Sequence, residues 1–189
     1  MKNRAVALII TLIMGVSGKV IYNYTGRDII MPDGTTIVSH DLTESTTKFY
    51  KNRSIADSLT IYIHHTAGSK SQSLESIAKY HVEKRGWPAI AYHVAINDDG
   101  DIFFLNDIEE KTFHNSKDNL KGIAVVGVGN YENYEPSEKM VESIEIVTDA
   151  MCQGLKIKAI KGHKDSKATA CPGKYLYNRL KRDGILMQR

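Results

Sequence analysis

The sequence predicts an α/β domain built on a mixed central β-sheet with helices on its faces, preceded by an N-terminal extension. Three observations predict it. Short apolar runs of strand character alternate with helical periods through the second half of the chain, the pattern of a sheet flanked by helices. Gly122 to Gly129 (GIAVVGVG) is a continuous small and apolar run, as expected of a central strand buried on both faces. Asp98-Asp99-Gly100 separates two further apolar runs and predicts a hairpin. A chain of 189 residues suits one domain with a proper core plus an extension, and is too short for two ordinary domains.

In chain order, Met1-Lys2-Asn3-Arg4 is a short basic run and Ala5 to Val16 (AVALIITLIMGV) is an uninterrupted apolar block. Its length fits the core of a signal peptide better than a bilayer span, which needs about 20 residues. Residues 1–18 are therefore expected to be a signal peptide cut after Gly18 or an uncleaved anchor; a buried element of the domain is the alternative. Export to the periplasm or cell envelope follows, with membrane association only through this segment. Residues 19–57 form the extension, in which Val20-Ile21-Tyr22 and Thr36-Ile37-Val38 read as short strands around a turn at Met31-Pro32-Asp33-Gly34. The domain proper spans residues 58–189, and no internal repeat is present.

Leu59 to His64 alternates, so Leu59, Ile61 and Ile63 share one face while Thr60, Tyr62 and His64 share the other. His64 ends that strand, where site residues often gather at the start of a loop. Ser71 to Arg85 predicts a helix with Ser71 as N-cap, Leu74, Ile77, Ala78 and His81 on its buried face, and Gly86 as its stop. His81 reads as a core histidine holding a backbone hydrogen bond. Ala91 to Asn97 and Ile102 to Leu105 are the two hairpin strands, and Tyr92 shares a face with Val94 and Ile96 by pattern. Lys111 to Leu120 is a polar loop carrying His114. Pro136 opens a helix to about Gln153 with Met140, Ile144, Val147 and Met151 as its stripe. Lys156 to Ile160 is the last strand, and Lys174 to Leu180 the last helix.

Between these two elements lies Gly162 to Gly173, with His163 near one end and Cys171 near the other. An imidazole and a sulfur so placed read as two zinc ligands. Pro172 is expected at the first helical position and Cys171 at the N-cap, where the partial positive charge of the helix would favour the thiolate. A catalytic zinc takes three protein ligands and leaves a position for water, and His64 is the candidate third. The competing reading is a disulfide between Cys171 and Cys152, the other cysteine of the chain. The net charge of +3 and pI near 8.7 suit an anionic partner such as a bacterial cell wall. No basic stripe with interleaved aromatics points to nucleic acid.

Four segments occur together in order: Ile63-His64-His65-Thr66-Ala67, Arg85 to His93 (RGWPAIAYH), Gly122-Ile123-Ala124 through Gly129-Asn130-Tyr131, and Gly162-His163-Lys164-Asp165 through Cys171-Pro172-Gly173. In this the chain resembles the zinc-dependent N-acetylmuramoyl-L-alanine amidases, a family that includes phage lysozyme-type amidases and animal peptidoglycan recognition proteins. The resemblance covers roughly residues 58 to 183 and rests on four motifs in order. It implies zinc held by His64, His163 and Cys171, Tyr92 and Thr169 as catalytic residues, and His114, Trp87 and His65 as substrate-binding residues. It also implies peptidoglycan as partner, a monomer, and hydrolysis of the bond between N-acetylmuramic acid and L-alanine in an endolysin or envelope enzyme. Thr169 stands where some members carry a lysine; without that charge, stabilisation of the transition state leans on zinc and Tyr92. The alternatives are a recognition module that binds peptidoglycan without cutting it, and a structural zinc domain closed by a fourth ligand from His65 or His93.

Overall fold

The computed structural model describes residues 28–30, 36–39 and 42–188. The apolar block at residues 5–16 and the strand expected at Val20-Ile21-Tyr22 lie outside the described residues. Among the described residues eight strands form one mixed sheet: β1 (Asp28–Ile30), β2 (Thr36–Ser39), β3 (Leu59–His65), β4 (Val94–Ile96), β5 (Ile102–Phe104), β6 (Gly122–Gly127), β7 (Ile157–Gly162) and β8 (Met187–Gln188). Their order is β1-β2-β5-β4-β6-β3-β7-β8. The four central strands β4, β6, β3 and β7 run parallel, while β4–β5, β1–β2 and β7–β8 pair antiparallel. The strand expected around Thr36 to Val38 is present and pairs parallel with β5.

Helices cover both faces. On one, Leu59, Ile61 and Ile63 of β3 join Val94, Ile96, Ile123 and Val125 beneath α2 (Glu138–Gly154) and α3 (Lys174–Arg182). The expected stripe of Met140, Ile144, Val147 and Met151 is fully buried here. Gly127 has no Cβ to fill the space that Met140 and Tyr131 occupy against the sheet. On the opposite face, Ala95 and Val126 pack under α1 (Leu74–Lys79) with Ile90 and Val128. Thr60, Tyr62 and His64 turn away from the main core, as the alternation of β3 requires.

Four local differences from the sequence expectation have physical causes. The cap of α1 is Ser73, whose Oγ accepts the Ser76 N–H, because Ser71 is engaged with Ser69 in the preceding turn. The helix then widens into a π-helical turn at Tyr80–Lys84 before Gly86, at φ +66, stops it. Pro136 precedes the cap of α2 instead of opening the helix; Ser137 caps it by accepting the Met140 N–H. Tyr92 packs with the α1 cluster and not beside Val94 and Ile96, since pairing in β4 begins only at Val94 and the period of two does not reach back past the bend at 91–93.

Residues preceding β3 are packed on this domain. The Tyr50 hydroxyl donates to Ala89 O at 2.8 Å, and the Thr43 hydroxyl to Glu75 at 2.6 Å. Among the described residues no helix is long and apolar enough to cross a membrane. Ile144, fully buried between α2 and the sheet, supplies a test of the core. Ile144→Ala should lower the unfolding free energy by about 2–5 kcal/mol. In urea titrations the midpoint should fall at unchanged slope.

Candidate metal centre

The register of β3 against β7 places Ile63 opposite Gly162 in adjacent parallel strands. The next residue along each is a histidine, so His64 and His163 leave the carboxyl end of the sheet side by side, with ring centroids 4.5 Å apart. Ligand sites of α/β sheets characteristically sit at that end of the strands. Cys171 is brought back to the same point because its carbonyl accepts the Lys164 N–H at 2.8 Å, closing the loop on itself. The Asp165 carboxylate accepts the Gly162 N–H and the Tyr177 hydroxyl, each at 2.8 Å, which pins the loop to α3. Gly173 has φ +93, and a Cβ there would lie 2.3 Å from the backbone of Tyr131, so only glycine can make this last turn.

His64, His163 and Cys171 form the one group of three or more potential metal ligands found among the described residues, with donor atoms all within 4.8 Å of one another. His64 Nδ1 and Cys171 Sγ are 3.6 Å apart. Tetrahedral zinc with ordinary Zn–N and Zn–S bonds sets that edge at about 3.5 Å. His163 Nε2 is buried with no hydrogen-bond partner, as a lone pair reserved for a cation would be. The size and donor set of the cluster therefore fit zinc.

Burial sets the protonation of all three. The His64 imidazole is held well below its ordinary range by burial, then by His114, His163 and two further histidines nearby. His163 is lowered by burial and by Lys167. Burial also pushes the Cys171 thiol up to about 12, offset in part by the His65 N–H that points at its sulfur from 3.4 Å. Neither Pro172 nor Cys171 takes its expected place: α3 begins at Lys174 with Gly173 as its cap, so Cys171 lies outside the helix end and burial outweighs the dipole. The thiolate would form as a cation binds and displaces the proton.

The remaining predicted residues fall around this cluster. The Tyr92 ring lies 5.6 Å from that of His64, and burial with Cys171 nearby raises its phenol, which stays a donor at neutral pH. Thr169 Oγ1 accepts the Cys171 N–H at 3.2 Å and so shapes the turn presenting the sulfur. Trp87 is half-buried, its ring tilted against that of His81 at 4.8 Å and meeting Phe113 edge-on. His65 is buried with Nδ1 unpartnered, outside the ligand cluster. His114 is buried behind His64, its Nδ1 lying 3.1 Å from His64 Nε2.

Neither alternative drawn from the cysteines and spare histidines is formed. No disulfide joins Cys152 to Cys171; Cys152 packs from α2 against the main core. His93 is occupied on both nitrogens, Nδ1 by the Ala124 N–H and Nε2 by the Glu110 carbonyl, each at 2.9 Å. Arg53, in the segment before β3, lies buried beneath the site. It donates to Ile108 O through Nε and Nη2 and to Gly122 O through Nη1, bracing the loop ends on either side of His114. Burial brings its guanidinium down to about 10. An isolated arginine in a polar stretch carries no sequence signal for such a place.

The family model for N-acetylmuramoyl-L-alanine amidase matches residues 56–174. The chain belongs to this family. Among relatives of the amidase domain, peptidoglycan-recognition protein SC1a of Drosophila melanogaster is 30% identical over 130 residues, covering 63% of this chain and 70% of that protein. The N-acetylmuramoyl-L-alanine amidase of Sus scrofa is 28% identical over 134 residues, covering 64% of this chain and 22% of that protein. Among solved structures, the endolysin amidase LysCS from Clostridium intestinale superposes with a TM-score of 0.69 at 23% identity, over 80% of this chain and 96% of its own. The family thus holds proteins named for cutting peptidoglycan and proteins named for recognising it.

Titration of His81 offers a measurement away from the ligand cluster. Its Nδ1 accepts the Ala91 N–H at 3.2 Å, and burial, helped by Arg85, lowers it to about 4. Between that value and the ordinary 6.5 the unfolded chain binds the proton and the folded one does not, so stability rises with pH across this window. Its contribution is intact above pH 6.5 and is lost as pH falls towards 4. The urea midpoint should drop from pH 7 to pH 5, and His81→Gln should flatten part of that drop.

Proposed function

We propose that this protein hydrolyses the amide bond joining the lactyl group of N-acetylmuramic acid to L-alanine in peptidoglycan, using zinc held by His64, His163 and Cys171. The convergence of those three donors at the carboxyl end of β3 and β7 carries the reading. Zinc there would supply Lewis acidity, making water a nucleophile near neutral pH and polarising a carbonyl oxygen. The protein's part begins with neutral imidazoles that need lose no proton to bind it. Three protein donors leave a coordination position open, which a closed structural site would not.

The Tyr92 phenol, protonated and close to His64, is placed to donate a hydrogen bond to the oxygen that gains charge as the amide is attacked. Thr169 holds the Cys171 turn through the Cys171 N–H and so positions the sulfur. Trp87 and Phe113, packed edge to face, offer an apolar wall along which a glycan or stem peptide would lie, and the His65 backbone N–H points at the sulfur. The apolar block at residues 5–16 serves export to the envelope, where the substrate is found.

The zinc-loaded protein should release peptide stems and leave free lactyl ends when incubated with cell-wall sacculi. Binding to sacculi without either product would favour the recognition module. Cys171→Ser should lower zinc content and activity together, while Cys152→Ser should leave both close to the parent. Tyr92→Phe should reduce turnover by about 10²- to 10³-fold, the cost of removing one oxyanion donor, with zinc content unchanged.

A further inference from the structure

His114 reads from sequence as a residue of the substrate groove, and the structure seats it directly against His64. Its side chain is 7% exposed and faces the back of His64, with Nδ1 3.1 Å from His64 Nε2 and the two rings nearly perpendicular. His64 Nδ1 is the nitrogen turned towards Cys171 Sγ. A neutral imidazole carries one N–H, so a cation taken at Nδ1 requires the proton on Nε2, where His114 Nδ1 is the atom facing it. We infer that His114 is a positioning residue for the metal: it accepts the His64 Nε2–H and thereby fixes the tautomer and ring orientation that present His64 Nδ1 to the cation. This rests on the zinc reading given above.

The surroundings of His114 hold it to that task. A Cβ at Gly122 would stand 2.7 Å from its Cε1 and Nε2 and 2.8 Å from Asp118 O, so the absent side chain is what makes room for the ring. Arg53 Nη1 holds the Gly122 carbonyl at 2.5 Å, fixing the floor of that seat. The next residue, Asn115, exchanges hydrogen bonds with Ser166 of the ligand loop: its Nδ2 donates to Ser166 Oγ at 2.8 Å, and its Oδ1 lies 3.1 Å from the same oxygen. The loop bearing His114 is thus tied to the loop bearing His163 and Cys171. Partners that hold the second nitrogen of a ligating histidine raise its basicity and lock its orientation.

The test uses three variants of the full chain and reads metal binding apart from catalysis. His114→Asn keeps an amide oxygen close to the place of Nδ1; His114→Gln and His114→Ala do not. Zinc affinity by chelator competition should fall about 10- to 100-fold in His114→Ala and His114→Gln, with His114→Asn recovering most of the loss. Circular dichroism melts of the zinc-free proteins should be similar for the Asn and Gln variants. Long-range proton–nitrogen spectra of the zinc-loaded parent should place the His64 proton on Nε2. Parent-like zinc affinity in His114→Ala, equal loss in Asn and Gln, or a proton on His64 Nδ1 would each overturn the inference. If His114→Ala does not fold, the Asn and Gln pair decides. A parent chain that binds no zinc would instead remove the functional reading, and this inference with it. Zinc-dependent release of stems by the parent alongside unaltered affinity in the variants would remove the inference alone.

Discussion

The parallel pairing of β3 with β7 is the constraint from which the site follows. Two adjacent strands, in a register with Ile63 opposite Gly162, must end together, and each is followed or closed by a histidine. A shift of one residue in either strand would turn its side chains to the opposite face. The main core guards against that shift, because Leu59, Ile61 and Ile63 are wholly buried beneath α2 and α3 and would be driven to the other side. Packing on one face of the sheet thus determines chemistry on the other. Cys171, about a hundred positions from His64, needs only the short loop closed by Lys164 and Cys171 to arrive beside it.

Around the cluster the protein has gathered neutral nitrogen donors in a dry setting. His64, His93, His114 and His163 are all kept below their ordinary titration range, and burial is the largest cause in each case. Of these, His64 and His163 belong to the candidate metal cluster, and rings already neutral need lose no proton to bind a cation. Arg53, a buried cation nearby, has its charge met by backbone carbonyls at the far side of His93 and His114. It lends rigidity to the loop ends while adding to the electrostatic pressure that keeps those histidines unprotonated.

Much of this was legible before the structure. The period of two in β3 separated core residues from His64, and the stripe of α2 named four residues that are fully buried. Two members of the candidate metal cluster, His163 and Cys171, were readable because histidine and cysteine in one short loop, followed by proline and glycine, form a local signature, while His64 stood out only as the histidine at a strand end. What escaped were relations between distant residues and the conformation of individual turns. Tyr92 changed face because a bend precedes β4, and Cys171 lost its cap because Gly173 takes the position with φ +93. The place of Arg53 depends on carbonyls more than fifty residues away, and His114 touches His64 across a similar separation. Such meetings are made by topology, for which a linear pattern has no symbol.

The high ionisation threshold of the Cys171 sulfur has a consequence beyond ligation. Thiols react with oxidants and disulfides through their ionised form, so a sulfur kept protonated to about pH 12 is chemically quiet while it waits for metal. Once a cation is bound, the same electron pair is committed to it. In both conditions the free thiolate, the form that reacts, is scarce.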